Sequence, residues 1–436
     1  MLGLAAPLAV AELGWMIMGT VDMLMAGRLS AAAVGAGSVA NMVFYPIAVS
    51  GTGVLLGMDT LVAHAFGAED PKDCRRTLVN GIWLAAALFP LLGLAIRYMI
   101  PVLAAAGTNP RVMALLAPYL KALIPGLAPL LLFAAFRRYL QAINIVRPVT
   151  FALISANVVN FVGNWVLMFG HWGVRPMGLT GSGWSTSISR LYMAAVLLAV
   201  VVWHECQSGS RLFRLSWRPD WARTRRLVGL GLPAAMQLAV EGAGFTAVTV
   251  LAARLSEVEL AAHSITTNVI ATTYMVPLGI SSAAAVRVGH ALGRKDRFGA
   301  AVAGWTALAI SAAFMGSASL LLWSVPRLIV RAFIADRSVT AAGAVLLRIA
   351  GLFQIFDGLQ VTATGALRGL GETRAPMRMH LAGYWAVGIP LAYVLCFPSA
   401  WGVTGIWVGL TAAVILAGVS LVAVWRARLA ITRSQL

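Results

Sequence analysis

Five carboxylates fall inside stretches of sequence that are otherwise apolar: Glu12, Asp22, Asp59, Glu241 and Asp357. A charged group at the centre of a bilayer costs about 2.5–3.5 kcal/mol even on insertion scales, so several in one chain need a reason. A desolvated carboxylate readily takes a proton or a small cation. Alternately ion-bound and free, it can exchange its charge with a cationic substrate, which is the chemistry an ion-coupled antiporter requires. Glu241, in "LAVEGAGF", and Asp357, in "LFQIFDGLQ", both lie mid-span, and Gly242 and Gly244 open room beside Glu241. A hydrogen bond to a neighbouring helix is the structural alternative for each. Asp22, in "GTVDMLMAG", is nearer the outer end of its span, within reach of Arg28. Asp59 is about one turn from the inner end of its span, where loop arginines can pair with it; Glu12 has no evident partner in the sequence.

A second constellation lies in "SANVVNFVGNWVLMFG", where Asn157, Asn160 and Asn164 stand at i, i+3 and i+7, on one face of a helix. Amide oxygens suit a small hard cation and also a protonated acid; interhelical hydrogen bonding is again the structural alternative. Asp22 with Asn160 and Asn164 makes one candidate site, and Glu241 with Asp357 a second.

The elements that must carry these groups are membrane spans. The chain has 436 residues, 60% hydrophobic and 11% charged, against about 25% charged in soluble proteins. Apolar runs of spanning length occur at 4–27, 34–63, 78–105, 115–136, 149–170, 183–204, 227–253, 262–286, 300–325, 342–366, 377–398 and 404–425. They predict about twelve helices; a β-barrel would alternate lipid-facing and lumen-facing residues. The first run lacks a basic leader and a cleavage site, so it reads as a span and not a signal peptide. Cys74, Cys206 and Cys396 are isolated and have no metal-binding spacing.

The net charge of +18 comes from arginines clustered in short loops, so it calls for no nucleic acid. Loops after the even-numbered spans and the C-terminal tail hold most of them, including six from Arg211 to Arg226. That bias puts both termini in the cytoplasm.

An internal repeat organises the spans. At an offset of 226 residues, "RLSAAAVGAGS" meets "RLSEVELAAHS" and "VAHAFGAED" meets "VGHALGRKD", with 12 identities among the 43 positions of 28–70 against 254–296. Pro7 meets Pro233, and His64, Gly67 and Asp70 meet His290, Gly293 and Asp296. Six spans per repeat restore the starting side, so the halves are parallel repeats, an arrangement common in secondary transporters. The expected organisation is a lobe over 1–206, a basic linker over 207–226 carrying Trp217 and Trp221 toward lipid headgroups or solvent, and a second lobe over 227–436. The acids do not follow the repeat: Glu241 corresponds to Trp15, and Asp22 to Val248.

With these residues in view, "AAPLAVAELGWMIMGTVDMLMAGRLS", "GMDTLVAHAFGAED", "NFVGNWVLMFGHWGVRPMGLTGSGWSTSISR" and "FDGLQVTATGALRGLGETRAP" resemble the multidrug and toxic compound extrusion (MATE) family, in particular its NorM-type branch. The likeness runs in order through both halves. It implies an all-α polytopic protein built as a V-shaped pair of six-helix bundles. It also implies an antiporter that exports cationic, amphiphilic organic compounds, among them drugs, toxins and dyes, in exchange for Na⁺ or H⁺. By motif, Asp22 matches the functional aspartate of the first span, and Asn160 and Asn164 the polar positions accompanying it. Thr186, in "GWSTSIS", resembles the sixth-span threonine near that cluster. Glu241 and Asp357 match the acidic pair of the C-terminal lobe, a candidate Na⁺ site, and with Asp22 they are the expected substrate contacts. Asn164 stands where other branches have Asp, Phe353 where some NorM-type members have Tyr, and His64 where Gln is usual.

A lipid or glycan-precursor flippase of the same superfold is the alternative; it would want a basic cavity, whereas the intramembrane ionisable groups found here are mainly acidic. No HExxH or GxSxG pattern points to an enzyme. The expected protein has no cofactor, acts as a monomer, and contacts membrane lipids and organic cations in a bacterial inner membrane.

Overall fold

The structure, a computed structural model, describes residues 1–207 and 217–434. Every regular element among them is helical. In chain order they are α1 (Leu2–Gly27), α2 (Ala31–Val54), α3 (Gly57–Gly67), α4 (Pro71–Ala105), α5 (Pro110–Leu123), α6 (Leu127–Ala142), α7 (Arg147–Phe169) and α8 (Leu179–Gln207). Then follow α9 (Trp221–Ala252), α10 (Glu257–Gly293), α11 (Arg297–Ser324), the short α12 (Pro326–Arg331), α13 (Arg337–Gly369) and α14 (Arg374–His380). A π-helical step (Leu381–Gly388), α15 (Ile389–Cys396) and α16 (Gly402–Ser434) complete the chain. Eleven of these stretches are long and apolar enough to cross a membrane, and α5 with α6, bent by 46°, makes a twelfth.

Two predicted spans are broken. Between α2 and α3, Leu56, Met58 and Asp59 donate to carbonyls only three residues back, a 3₁₀ tightening. The step lies where α9 meets the α2 backbone: a Cβ at Gly231 would fall 1.7 Å from the Val54 carbonyl oxygen, and one at Gly53 2.8 Å from Ala235 Cα. The second break, "IPGLAP", separates α5 from α6. Pro125 has no N–H to give, and the Ser187 hydroxyl of α8 donates to the Ala122 carbonyl at 2.7 Å. Hydropathy reports only that both stretches are apolar; it carries no information on where backbone hydrogen bonding changes period.

The repeat has a physical reading at the helix ends. Ser30 caps α2 by accepting from Ala33 N, and Ser256 caps α10 in a capping box with Glu259. Asp70 and Asp296 cap α4 and α11 in the same way. Each follows a residue in the left-handed region, Glu69 at φ 56° and Lys295 at φ 60°. The in-register Gly and Asp are thus the punctuation of equivalent helix–turn–helix joints.

The chain divides into two compact units, Val10–Ala235 and Met1–Ala9 with Met236–Leu436. Against lobes expected over 1–206 and 227–436, the division falls inside α1 and α9, because the first half of α9 packs against α2 as just described. In the first unit α8 packs on α5, α6 and α7, and α4 on α6; in the second, α13 packs on α10, α11 and α16. Residues 208–216 of the expected linker, with Arg211 and Arg214, lie outside the described residues. The remainder docks on α4. Trp83 donates to the Trp217 carbonyl (2.8 Å), Asp220 N donates to Asn80 (2.9 Å), and Arg223 donates to Thr77 (2.8 Å) and Asp73 (2.5 Å). Trp221 is exposed.

Candidate functional site

In the unit Val10–Ala235, Asp22 of α1 faces α7 and α8. Asn164 Nδ2 donates to its Oδ1 at 2.6 Å and Thr186 Oγ1 to its Oδ2 at 3.1 Å. Asn160 joins them: its Nδ2 reaches Thr186 Oγ1 at 3.5 Å, and its Oδ1 accepts from Asn164 at 3.3 Å. Close α7–α8 packing makes this possible. Gly163 leaves room for Ser185, whose hydroxyl donates to the Asn160 carbonyl at 2.8 Å; a Cβ at Gly163 would lie 2.4 Å from that hydroxyl. The four residues named from sequence for this cluster are therefore together.

Asn157 is not among them. Its amide donates to the Gly14 carbonyl at 3.0 Å and to its own Leu153 carbonyl at 2.8 Å, a tie between α7 and α1. The other two intramembrane acids named from sequence in this unit meet arginines, Asp59 buried and Glu12 half-buried. Glu12 pairs with Arg137, and Asp59 with Arg138 at 3.4 Å. Next to those arginines, Tyr139 donates to Glu205 at 2.5 Å, and Arg75 Nε lies 2.9 Å from the same carboxylate. Three consecutive residues of α6 thus grip acids on α1, α3 and α8.

The sequence reading passed over Arg190, one turn beyond Thr186 on α8. It is 7% exposed and stands 4.5 Å over the Phe44 ring, within charge–charge range of Asp22. A mostly apolar cleft of about 440 Å³ runs along α1 and α7, lined by Val21, Leu24, Met25, Phe161, Trp165 and Phe169 together with Arg28 and His171; the members of the Asp22 cluster do not line it.

In the other unit, Glu241 of α9 accepts from Gln237 Nε2 at 3.1 Å and from the Tyr274 hydroxyl of α10 at 3.2 Å, and His380 Nε2 lies 3.7 Å away. Asp357 of α13 accepts from Gln360 Nε2 at 3.0 Å, which also reaches the Tyr384 hydroxyl at 3.0 Å. Glu241 and Asp357 are 7% and 2% exposed and feel each other's charge, as do Tyr274 and Tyr384 between them. Among the described residues neither acid meets an arginine or lysine within ion-pair distance, and no three His, Cys, Asp or Glu side chains gather into a metal cluster. Phe353 stacks on Trp407, with ring centroids 6.1 Å apart, inside the hydrophobic core.

Gln237, Tyr274, Gln360, His380 and Tyr384 were not read from sequence. The last two flank the start of the π-helical step, a local unwinding often found at functional sites. The amide oxygens of Asn164 and Gln360 are buried without a donor, which leaves acceptors free beside each acid cluster.

A family model described as MatE matches the chain twice, over residues 7–166 and 233–394. The two matches begin 226 residues apart, at Pro7 and Pro233. The chain is 36% identical to the "Probable multidrug resistance protein NorM" of Mesorhizobium japonicum, covering 98% of this chain and 93% of that one. It is 34% identical to the protein of the same name from a Synechococcus species, covering 96% and 91%. Among solved structures, an outward-facing MATE transporter of the MOP superfamily superposes with a TM-score of 0.91 at 15% identity, over 99% of this chain and 96% of that one. The eukaryotic MATE transporter AtDTX14 gives 0.87 at 20% identity, over 100% and 97%.

Proposed function

The chain belongs to the MatE family of membrane transporters, and from that premise we propose that it exports cationic amphiphilic organic compounds in exchange for Na⁺ or H⁺. The observation that carries this reading is the pair Glu241 and Asp357: two buried carboxylates in one helical unit, ringed by neutral donors and, among the described residues, lacking a basic partner other than His380. Two uncompensated acids in a membrane interior call for a cation. A proton can reside on either. A sodium ion can take carboxylate oxygens together with the free amide oxygen of Gln360, a hard all-oxygen set.

The exchange follows from competition for those charges. With the coupling ion bound, the acids are neutralised and an organic cation gains little by entering. Release of the ion uncovers them, and the organic cation then supplies the missing positive charge. Asp22, held by Asn164 and Thr186, is a separate ion-responsive group in the other unit. The protein works as a monomer in a bacterial inner membrane with both termini cytoplasmic, as the loop arginines favour. Lobes over 1–206 and 227–436, joined by 207–226, alternate access to the two sides. Two bare acids also disfavour an anionic lipid headgroup as the cargo.

The test is transport by purified protein in liposomes, with a Na⁺ gradient or a pH gradient imposed one at a time and a cationic dye as cargo. One gradient is expected to drive dye movement against its concentration. Movement under neither, by protein that remains folded, overturns the proposal.

A further inference from the structure

Arg28 is an arginine that the loop bias does not account for. It follows the first span, whereas most loop arginines follow even-numbered ones. It stands one residue beyond α1, where a cation suits the helix dipole, and Arg254 repeats that position near the end of α9. The surroundings are not repeated. With "GLTG" at 178–181 set on "GVTG" at 402–405, His171 and Trp172 fall on Leu395 and Cys396. Arg28 is exposed and forms no hydrogen bond or ion pair among the described residues. Asp22, on the same helix, is held by Asn164 and Thr186 instead.

Arg28 closes one end of the cleft between α1 and α7. Val21, Leu24, Met25 and Arg28 stand at i, i+3, i+4 and i+7, one face of α1, and Phe161 and Trp165 share a face of α7. Asp22 is about 100° round α1 from Val21, and Asn160 and Asn164 are each about 100° round α7 from the ring that follows them. The cleft and the Asp22 cluster thus use different faces of the same two helices, and Leu24 and Phe161 of the cleft face are exposed. At the charged end, His171 Nδ1 donates to the Trp165 carbonyl at 2.7 Å and its ring stacks on Trp165 with centroids 3.9 Å apart. The exposed Trp172 meets Trp165 edge-on at 5.8 Å. A basic and aromatic rim of this kind marks the membrane–water interface. From Arg28 the apolar floor runs about 10 Å along α1 to Val21.

That order, charge at the interface and apolar floor toward the bilayer centre, is the order of a phospholipid standing in its leaflet. The sign of the charge selects the head. A cationic amphiphile lying the same way would put its charge against Arg28, whereas a phosphate finds a guanidinium fork of matching geometry. We propose that the cleft is a binding site for one anionic phospholipid, with its phosphate on Arg28 and an acyl chain against Leu24, Met25 and Phe161. With the termini cytoplasmic, as proposed above, the lipid belongs to the outer leaflet. A chain that exports nothing would still show this preference.

The probe is phosphatidylglycerol with brominated acyl chains, compared with phosphatidylcholine carrying the same chains, in nanodiscs holding the full-length protein. The signal is the part of the tryptophan quenching that is lost in Trp165→Phe. Phosphatidylglycerol should quench at an about fivefold lower mole fraction than phosphatidylcholine, the preference that one arginine near the surface confers. Arg28→Gln should abolish the preference and Arg28→Lys should keep most of it. Equal quenching by the two lipids in the wild type, or a preference unchanged in Arg28→Gln, overturns the proposal. Relief of the quenching by a cationic dye would make the cleft a cargo surface and overturns it as well. If Arg28→Gln does not fold, salt decides on the wild type: the preference should fade toward about 1 M salt, and one that survives refutes the assignment.

Discussion

Replacing Glu241 by glutamine keeps the size of the side chain and deletes one charge. Its neighbours are Gln237 at 3.1 Å, Tyr274 at 3.2 Å and His380 at 3.7 Å. The new amide can still accept from Gln237 or Tyr274 and can donate to His380, so the loss in fold stability should stay near 1–3 kcal/mol, the range for a weakened buried hydrogen bond. The loss in ion binding is larger. A unit charge about 4 Å from a bound cation contributes about 4 kcal/mol at an effective dielectric of about 20. At about 1.4 kcal/mol per decade, that is roughly a thousandfold in affinity. The assay is the concentration of the driving ion that gives half-maximal dye export, measured beside thermal unfolding of the detergent-purified protein. Glu241→Gln should unfold within a few degrees of the wild type yet need roughly a thousandfold more ion, which in practice abolishes coupled export. A shift of less than tenfold would falsify the assignment of Glu241 to the ion site. Asp357→Asn should move the same quantity in the same direction.

Two further outcomes follow from packing and hydrogen bonding. Gly231→Ala would drive a methyl group into the Val54 carbonyl and should destabilise the unit by about 3 kcal/mol or more; Gly316→Ala, with nothing within 4 Å of the new atom, should unfold at the wild-type temperature or slightly above it. Asn157→Leu should cost about 1 kcal/mol of stability and leave export intact, because its amide ties α7 to Gly14. Asn164→Leu should abolish any transport that depends on Asp22, and equal export by both variants refutes the distinction.

The first site was legible because its members are unusual in lipid: an acid, two amides one turn apart, and a threonine on a matching motif. Asn157 misled because it shares the amide chemistry and the approximate face; at i−3 from Asn160 it is rotated far enough to meet α1 at Gly14. Glu241 and Asp357 were legible as mid-span acids. Their surroundings were not, since Gln237, Tyr274, Gln360 and Tyr384 are neutral polar residues of the kind that bridge membrane helices anywhere, and four separate segments bring them together. Glu12 acquired its partner only through the fold, because Arg137 is 125 residues away in sequence. Arg190 escaped because the arginines drew notice as loop charge, while the search for intramembrane groups followed the acids.

The grip of α6 on three acids has a consequence for biogenesis. Glu12 on α1 and Asp59 on α3 leave the ribosome long before Arg137 and Arg138 on α6, and Tyr139 must wait still longer for Glu205 on α8. The early helices therefore enter the bilayer before the α6 arginines that pair with their acids have been made. Until α6 arrives they lack those charge pairs, which matter most for an acid within lipid, and one short turn bearing Arg137 and Arg138 supplies both at once. Assembly of this unit is timed by α6, and nascent chains arrested before residue 137 should remain loosely associated and open to proteolysis, whereas chains arrested beyond α8 should not.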